Sequence, residues 1–492
     1  MESIVEYVAK WATEKPEKIA VVVDGVETTY SQLYRMCREY AGILRKSGVS
    51  HGNVVVTRAS QDLAYAVIYL SIHLAGGVVC SVESNVCTEI LLEIADKMDA
   101  DFVLKDGLAI EGYRCLDRKA VQKIVDIDNQ IGWNGFDQIE VNFPKKEDLA
   151  DILFTTGTTG ASKGVELTHG ALVATAENLI FGCKYAEDTV LIAPGPVNHA
   201  NAIRKLFTTF VNGSSIIILN GMKNLKKFFD ALNYGNGRIA CCLPPASIRT
   251  LFVLTGDEIG KYKDVIDFIE SATSPLPEHD KQKLIELLPK TRLYNNYGSS
   301  EAASVCILEY SKYQDLVGCI GKAMPNANVF VVDDDKLPIN SSKDNPGLIA
   351  CEGKVNMSGY RGEPELTEEV MKNGVVYTND IGYIDGGFIY IVGRKGDVIN
   401  VGGLKVAPTE VENEALGYDG VKDCICIAVH DNITGNALKM LLVVEDENSF
   451  NKKEFVSFMG TRLEAYKVPH KIEYVESVRR TYNGKIDRKS YR

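Results

Sequence analysis

The sequence has no excess of basic charge. Its 492 residues include 54 lysines and arginines against 66 aspartates and glutamates, which gives a formal net charge of −12. Because the phosphate backbone of a nucleic acid attracts basic surfaces, this balance argues against a nucleic-acid partner. A small anionic ligand would have to be captured by a local site instead.

Paired cysteine motifs are also missing. The twelve cysteines are scattered without C-x-x-C spacing, and neither the adjacent pair Cys241 and Cys242 nor the spaced pair Cys424 and Cys426 is a metal-binding pattern. Reduced thiols in a cytoplasmic protein are the simplest interpretation. The N-terminal segment MESIVEYVAKWATEKPEK has no basic stretch followed by an apolar one, so no signal peptide is expected.

Long apolar runs are nearly absent. One uncharged run, residues 64–82, approaches the length of a membrane span. It contains Ser71, His73 and the glycines at 76 and 77, and this composition predicts a buried helix followed by a core strand rather than a span. No fixed-period repeat and no low-complexity tract is found.

Apolar β-branched runs alternate with amphipathic stretches along most of the chain, for example VVVTR, GVVCSV, DILFTTG and IIILNG. This alternation predicts an α/β fold with helix-covered parallel sheets. From about 318 to 393, short strands separated by turns predict a small β-rich subdomain. After Gly393 the pattern predicts a compact α+β domain, with one helix over 452–464. The expected domains are therefore residues 1–393 and 394–492.

The most specific segment is F-T-T-G-T-T-G-A-S-K-G-V, residues 154–165. Its glycines let backbone N–H groups turn toward an anion, its threonines add hydroxyl donors, and its lysine adds one positive charge. The order of its residues differs from the G-x-x-x-x-G-K-[ST] motif of P-loop NTPases. A flexible surface loop rich in threonine and glycine is the alternative to a phosphate-binding loop. The candidates for phosphate binding are Thr155, Thr156, Gly157, Thr158, Thr159, Gly160 and Lys163.

This segment resembles the phosphate loop of the adenylate-forming superfamily, which contains acyl- and aryl-CoA synthetases, adenylation domains of nonribosomal peptide synthetases, and luciferase. The resemblance extends over about residues 5–490, with several motifs in family order. Thr156 replaces a family serine and keeps the hydroxyl, whereas Ser162 replaces a proline. The resemblance implies a large N-terminal domain of helix-covered sheets with a small β-rich subdomain, and a small mobile α+β C-terminal domain.

The segment N-N-Y-G-S-S-E-A, residues 295–302, resembles the family's Y-G-x-T-E motif. The resemblance implies that Tyr297 stacks on adenine, with Asn296 and Gly298 also at the nucleotide. Ser300 would bind the α-phosphate or the substrate carboxylate. Glu301 would hold Mg²⁺, which prefers carboxylate and phosphate oxygens. Taken alone, such a segment is usually an ordinary turn.

Three further residues match family positions near the nucleotide. Asp380, in Y-T-N-D, would accept hydrogen bonds from both ribose hydroxyls, and Arg394 would reach the ribose or the α-phosphate. Lys485, in G-K-I-D-R, would contact the substrate carboxylate and the α-phosphate during adenylate formation, where a cation stabilises developing negative charge. In isolation these would be a strand-end aspartate, a solvated arginine and a basic tail.

The small domain of the family rotates between two half-reactions. The resemblance places the hinge at Gly396 and Asp397, where glycine can absorb a large backbone rotation. It places Gly402 and Gly403 beside the CoA channel. For both glycine positions, an ordinary turn is the simpler structural interpretation.

The acyl pocket is expected around His199, Asn201 and Arg204, and around Ala272 and Thr273 in S-A-T-S-P. That stretch replaces a family S-G-G-A-P, so its bulk is expected to shorten or reshape the acyl tunnel. The aspartate that usually holds an α-amino group is missing, which argues against an amino acid. His199 could instead cap a helix, and Arg204 could pair with a second carboxylate or be a solvated or core-edge arginine.

The resemblance implies an AMP-forming acid–thiol ligase. The enzyme would use ATP and Mg²⁺ to join a carboxylic acid to AMP, and would then transfer the acyl group to CoA. Two alternatives remain open at this point. One is an adenylation enzyme that loads the phosphopantetheine of a carrier protein, and the other is a nucleotide-binding protein without catalysis. The sequence does not identify the acid.

Overall fold

The computed structural model describes residues 1–106, 109–131, 142–155, 163–235, 237–431, 434–480 and 486–491, with the backbone alone at 127–131, 155 and 405. Its helices are α1 (Ile4–Glu14), α2 (Tyr30–Lys46), α3 (Leu63–Ala75), α4 (Thr88–Lys97), α5 (Lys119–Ile131), α6 (His169–Cys183), α7 (Ala200–Asn212), α8 (Leu225–Leu232), α9 (Pro245–Thr255), α10 (Glu278–Leu287), α11 (Pro364–Val370), α12 (Pro408–Leu416) and α13 (Lys452–Gly460).

The strands are β1 (Ile19–Val23), β2 (Val26–Thr29), β3 (Val54–Arg58), β4 (Val78–Val82), β5 (Phe102–Lys105), β6 (Cys115–Asp117), β7 (Leu149–Thr155), β8 (Lys163–Thr168), β9 (Thr189–Ala193), β10 (Ser215–Ile218), β11 (Arg238–Cys242), β12 (Ile266–Ser271), β13 (Arg292–Ser299), β14 (Ala303–Glu309), β15 (Cys319–Ala323), β16 (Ala327–Val332), β17 (Gly347–Gly353), β18 (Gly359–Tyr360), β19 (Met371–Lys372), β20 (Val375–Asp385), β21 (Phe388–Arg394), β22 (Ile399–Val401), β23 (Leu404–Val406), β24 (Val421–Asp431), β25 (Gly435–Val444) and β26 (Lys471–Tyr474).

Two large sheets form most of the molecule. One has the order β18-β8-β7-β4-β3-β5-β6, and β3 to β7 pair in parallel. The other runs β16-β17-β20-β21-β15-β14-β13-β12-β11-β9-β10-β1-β2, with parallel pairing from β13 to β1. The expectation of helix-covered parallel sheets is confirmed.

A layer of helices lies between the two sheets, and its apolar side chains form the main core. Helices α1, α2, α3 and α7 contribute to one buried cluster that also contains Val55 of β3 and Ile216 of β10. Helix α3 is buried along its whole length, as the uncharged run 64–82 predicts. Its polar groups find internal partners: the Ser71 hydroxyl donates to the Val67 carbonyl oxygen over 2.6 Å, and His73 Nε2 lies 2.9 Å from Asp151 Oδ1. Among the described residues no helix is both long and apolar enough to cross a membrane.

The stretch 318–393 is rich in strands, but most of these strands extend the larger sheet. Strand β15 pairs with β14 on one side and with β21 on the other. One short strand, β18, leaves this group and pairs with β8 of the other sheet. Sequence patterns locate strands but not their distant neighbours, which explains why this continuity was not predicted.

The C-terminal residues form a small α+β unit. Strands β24, β25 and β26 make a three-stranded sheet, against which α12 and α13 pack through a separate apolar cluster. The predicted helix over 452–464 is too long, because α13 ends at Gly460. Glycine weakens a helix, and the turn that follows buries Leu463 in the C-terminal core.

Candidate active site

The two ends of the predicted phosphate loop lie on neighbouring strands. Thr155 ends β7, Lys163 begins β8, and the two are paired across the strands. Residues Thr156, Gly157, Thr158, Thr159 and Gly160, like Lys485, lie outside the described residues. The structure thus fixes the strands from which the loop departs and to which it returns.

The Y-G-S-S-E segment forms the tight turn between β13 and β14. A Cβ atom at Gly298 would lie 1.6 Å from the carbonyl oxygen of Ala303, so only glycine fits there. The Ser299 hydroxyl accepts hydrogen bonds from the backbone N–H groups of Glu301 at 3.1 Å and Ala302 at 3.0 Å. Ser299, which the sequence analysis did not single out, therefore orients the turn that carries Ser300 and Glu301.

The Glu301 carboxylate is held by a tyrosine from the other sheet. The Tyr360 hydroxyl of β18 donates to Glu301 Oε1 over 2.7 Å, and Lys163 Nζ lies 5.2 Å from the centre of the Tyr360 ring. Burial and the nearby Glu301 raise the pKa of Tyr360, which keeps its hydroxyl protonated as a donor. The sequence analysis missed Tyr360 because it reaches this site only through the pairing of β18 with β8.

The residues around Glu301 fit a metal that is bound mainly by phosphate. Within the described ranges, Tyr360 is the one hydrogen-bond donor to the Glu301 side chain, and it binds Oε1. A carboxylate oxygen is a ligand that a hard cation prefers. No group of three or more histidines, cysteines, aspartates or glutamates in these ranges could hold a metal by itself. Such an arrangement suits Mg²⁺ that arrives with ATP.

Three of the predicted nucleotide residues are joined directly. The Tyr297 hydroxyl donates to Asp380 Oδ2 over 2.7 Å, and Arg394 Nε lies 3.2 Å from Asp380 Oδ1. Burial and Asp380 raise the pKa of Tyr297 well above its usual value, so the phenol remains a donor. Both oxygens of Asp380 are thus engaged, and a ribose would have to share or displace these hydrogen bonds.

Three of the five predicted acyl-pocket residues lie in helix α7 or at its N-terminus. His199 occupies the N-cap position of α7, but its side chain makes no capping hydrogen bond. The Asn201 amide donates to the Cys242 sulfur over 3.4 Å. Arg204 is only 7% exposed and donates to the carbonyl oxygen of Ser299 over 2.7 Å. Of the alternatives given as a solvated or core-edge arginine, the structure therefore excludes the solvated one and agrees with the core-edge one. Burial lowers the pKa of the Arg204 guanidinium to about 10.

A buried ion pair lies beneath the β13–β14 turn. Lys205 Nζ is 2.7 Å from Glu270 Oε1, and both side chains are fully buried. Asn296 donates to the same Glu270 oxygen over 2.7 Å and to the Ser304 hydroxyl over 3.1 Å. Asn296 therefore supports the turn from below. The available sequence signal was Glu270 itself, a charged residue in the otherwise apolar end of β12.

The segment after β12 carries an unusual backbone conformation. Ala272 is buried, whereas the exposed Thr273 has a φ of 81°, in the left-handed region that β-branched residues rarely adopt. In this chain a threonine thus takes a glycine-like conformation where the related segment has S-G-G-A-P. Such strain costs on the order of 1–3 kcal/mol and is commonly retained at functional sites.

The predicted hinge follows β21 in a turn. The N–H of Asp397 donates to the Arg394 carbonyl oxygen over 2.9 Å, across Gly396. The Asp397 carboxylate lies 3.7 Å from Arg488 Nε, and Arg488 also donates to Glu412 over 2.9 Å. The hinge is therefore tied to the last segment of the C-terminal unit.

The two glycines predicted for the CoA channel form the exposed turn between β22 and β23. Their φ angles are 59° for Gly402 and 91° for Gly403. The Gly402 N–H donates to the Thr434 carbonyl oxygen over 3.0 Å. The structure places both residues within the C-terminal unit.

The C-terminal unit contacts the large domain through charged side chains. Arg249 of α9 lies 3.1 Å from Asp280 and 3.6 Å from Asp423 of β24. Asp423 also pairs with Arg480 at 2.7 Å, and the Arg480 backbone forms a bridge with Ile486, the residue after Lys485. A chain of ion pairs thus leads from the large domain to the segment that carries Lys485.

The model of the AMP-binding enzyme family matches residues 8–361, and that of the AMP-binding enzyme C-terminal domain matches residues 410–485.

Similar proteins share almost the full length. The chain is 23% identical to 4-coumarate-CoA ligase 1 of Narcissus pseudonarcissus, over 94% of this chain and 88% of that one. It is 25% identical to a feruloyl-CoA synthase of an Amycolatopsis species, over 96% and 95%. The structure of O-succinylbenzoate coenzyme A synthetase (MenE) from Bacillus subtilis, in complex with ATP and magnesium ion, has the same fold, with a TM-score of 0.83, 20% identity and 98% coverage of both chains.

Proposed function

The chain belongs to the AMP-binding enzyme family, and we infer that it is an ATP-dependent acid–thiol ligase that releases AMP and pyrophosphate. The similar proteins named above are CoA ligases or synthetases, and the likeness extends over nearly the whole chain. The enzyme joins a carboxylic acid to AMP and then transfers the acyl group to the thiol of CoA.

The observation that best supports this function is the convergence on the β13–β14 turn. Tyr297 is linked to Asp380 and Arg394 on one side, and Glu301 is linked to Tyr360 beside Lys163 on the other. These groups could bind a base, a ribose and a phosphate in one cleft. The two ends of the phosphate loop, Thr155 and Lys163, lie on the strand pair next to β18.

In the first half-reaction, a carboxylate oxygen attacks the α-phosphorus of ATP and pyrophosphate leaves. Little proton transfer is needed, so the residues act mainly by positioning and by neutralising charge. Lys163 would bind phosphate oxygens, Ser300 would orient the α-phosphate or the carboxylate, and Lys485 would stabilise the charge shared between them. Glu301 would hold the Mg²⁺ that binds with ATP and neutralises its phosphates.

In the second half-reaction, the CoA sulfur attacks the acyl carbonyl carbon and AMP leaves with the bonding electron pair. We propose that the unit after residue 393 reorients between these steps about Gly396 and Asp397. Two observations support this boundary: the family matches end at 361 and resume at 410, and the turn at 395–397 follows the last strand of the large sheet. Gly402 and Gly403 would then face the pantetheine.

CoA is the proposed acceptor of the acyl group because the named relatives are CoA ligases or synthetases. A carrier protein is the alternative acceptor, since it presents the same phosphopantetheine thiol.

The proposed compartment is the reducing cytoplasm. The twelve cysteines, all among the described residues, are free thiols, and this supports a reducing environment.

The function is tested by incubating the purified protein with ATP, Mg²⁺ and a panel of short, long, aromatic and dicarboxylic acids, with and without CoA. Acid-dependent pyrophosphate release is expected, and an acyl-CoA thioester should form only when CoA is present. Thioester formation on a phosphopantetheinylated carrier protein but not on CoA would correct the acceptor. Background release across the whole panel would contradict the enzyme assignment.

A further inference from the structure

Arg204 is a buried cation without a carboxylate partner in the described ranges. Its side chain is 7% exposed, and its hydrogen bond goes to a backbone carbonyl, that of Ser299. Burial lowers the pKa of Arg204, and the carboxylates of Glu301 and Glu270 offset this only in part. Both carboxylates lie beyond ion-pair distance and have other partners: Glu301 accepts from Tyr360, and Glu270 pairs with Lys205. Burying a guanidinium without a paired anion is costly, so an anion brought by a ligand would be strongly favoured.

Helix α7 carries two other polar side chains close to Arg204. Asn201 lies one helical turn earlier on the same face, and its amide contacts Cys242 at the end of β11. Lys205 follows directly and forms the buried pair with Glu270. A tunnel for a long hydrocarbon chain would be lined mostly by apolar side chains. This strip of amide and cationic groups suits a small polar acid.

Arg204 also lies close to the proposed reaction centre. It binds the carbonyl of Ser299, and Ser300 is the next residue along the chain. The Ser299 carbonyl belongs to the peptide group that continues into Ser300, so the guanidinium lies at the turn that carries Ser300. A short diacid would then reach both groups.

Arg204 approaches the turn from a different element than the phosphate-binding groups do. Lys163 comes from β8, and Tyr360, which binds Glu301 of the turn, comes from β18. Arg204 comes from α7, together with Asn201. Its planar fork of N–H donors matches a carboxylate well.

We propose that Arg204 is a specificity-determining residue and that the enzyme's acid is a short dicarboxylate whose second carboxylate pairs with this guanidinium. This inference rests on the proposed function and names its substrate class.

The wild-type enzyme provides the first test. Pyrophosphate release is measured for acids of matched length: malonate against propionate, succinate against butyrate, and glutarate against pentanoate. At least one diacid should exceed its monoacid partner by tenfold or more in kcat/KM, because a charge-assisted hydrogen bond in a buried site is strong. A preference for the monoacid in every pair would overturn the inference while leaving the ligase function intact. Silence with all six short acids, together with pyrophosphate release from a long or an aromatic acid, would also overturn the inference and leave the ligase function intact. Background release across the whole acid panel would contradict the function itself.

Variants then assign the preference to Arg204. Arg204→Gln should lower the diacid-to-monoacid ratio of kcat/KM by about 10- to 100-fold, and Arg204→Lys, which keeps the cation, should retain part of it. Arg238→Gln removes an exposed positive charge elsewhere and should leave the ratio unchanged. If Arg204→Gln slows diacids and monoacids equally, or mainly raises the KM for ATP, Arg204 serves the turn or the nucleotide and the inference fails. Circular dichroism checks that each variant is folded. If a variant does not fold, the comparison of diacids with monoacids in the wild-type enzyme decides whether the inference holds.

Discussion

The Tyr297 phenol and the Asp380 carboxylate are joined by a 2.7 Å hydrogen bond, although the two residues lie on β13 and β20, which are not adjacent in the sheet. Arg394 completes the group from β21 by pairing with the other oxygen of Asp380. The carboxylate is thus held in place before any nucleotide binds. Preorganisation of this kind lowers the cost of ordering side chains around a ligand.

Asp380→Asn should weaken ATP binding. The amide has one oxygen instead of two and no charge, so it cannot accept from two ribose hydroxyls while also pairing with Arg394. We expect the KM for ATP, measured by pyrophosphate release at saturating acid, to rise about tenfold or more. Tyr297→Phe keeps the aromatic ring and is the matched control, with a rise of less than about fivefold, since it loses one neutral donor. An unchanged KM in Asp380→Asn would remove Asp380 from the nucleotide site.

Lys485→Ala should separate the two half-reactions. The lysine is proposed to stabilise charge only while the adenylate forms, so adenylation should fall by roughly 100-fold or more, as for loss of a group that stabilises transition-state charge. Thioester formation from a presynthesised acyl-adenylate should change by less than about fivefold, because the lost interaction belongs to the other transition state. Lys489→Ala, four residues further on, is the control and should leave both steps intact. Equal losses in both steps of Lys485→Ala would contradict the proposed role.

The buried pair Lys205 and Glu270 should dominate local stability. Lys205→Met leaves the Glu270 carboxylate buried without its cation, although Asn296 still donates to it, so the free energy of unfolding in urea should fall by about 3–5 kcal/mol. The double variant Lys205→Met with Glu270→Leu removes both charges and should recover part of this loss. If the free energy of unfolding of Lys205→Met falls by less than about 1 kcal/mol, the pair does not dominate local stability, because exposed surface ion pairs contribute about that much.

His169 should make the fold sensitive to mild acid. Its ring is buried and lies 4.8 Å from the ring of His73, whose Nε2 contacts Asp151, and His51 also acts on it. Burial, and then the two other histidines, lower the pKa of His169 well below its usual value of 6.5. The unfolded chain takes up a proton near pH 6.5 whereas the folded chain does so only at lower pH. The stabilisation that comes from neutral, buried His169 is therefore fully present above about pH 6.5 and is lost as the pH falls below this value.

The corresponding measurement is urea unfolding between pH 7.5 and 5.0. One proton taken up only by the unfolded state changes the free energy of unfolding by about 1.4 kcal/mol per pH unit. His169→Gln removes this titration, so its unfolding free energy should fall less steeply with decreasing pH than that of the wild type. Identical slopes for the two proteins would show that His169 is not responsible.

The parts of this fold that follow from local pattern were predictable. The uncharged run 64–82 could satisfy its backbone only as a buried helix and strand, and α3 and β4 confirm it. The glycine of the Y-G motif is explained by the contact that a side chain at Gly298 would make with Ala303. Both features depend on residues close in sequence.

Features that depend on distant pairing were not predictable. Tyr360 reaches Glu301 because β18 pairs with β8. The sequence of a strand of two residues does not indicate which other strand it will pair with. The burial of Arg204 depends on the turn at Ser299, 95 residues later, so helical periodicity alone could not distinguish a core arginine from a solvated one. The extent of α13 was overestimated because its apolar pattern continues past Gly460 into a turn that is buried for another reason.

Attack of a carboxylate oxygen on the α-phosphorus of ATP is tested by isotope transfer. An accepted acid labelled with ¹⁸O in both carboxylate oxygens is used in a complete reaction with CoA, followed by mass spectrometry of the nucleotide product. We expect AMP that carries one ¹⁸O atom for each acyl-CoA formed. Unlabelled AMP, or ADP together with labelled inorganic phosphate, would contradict it.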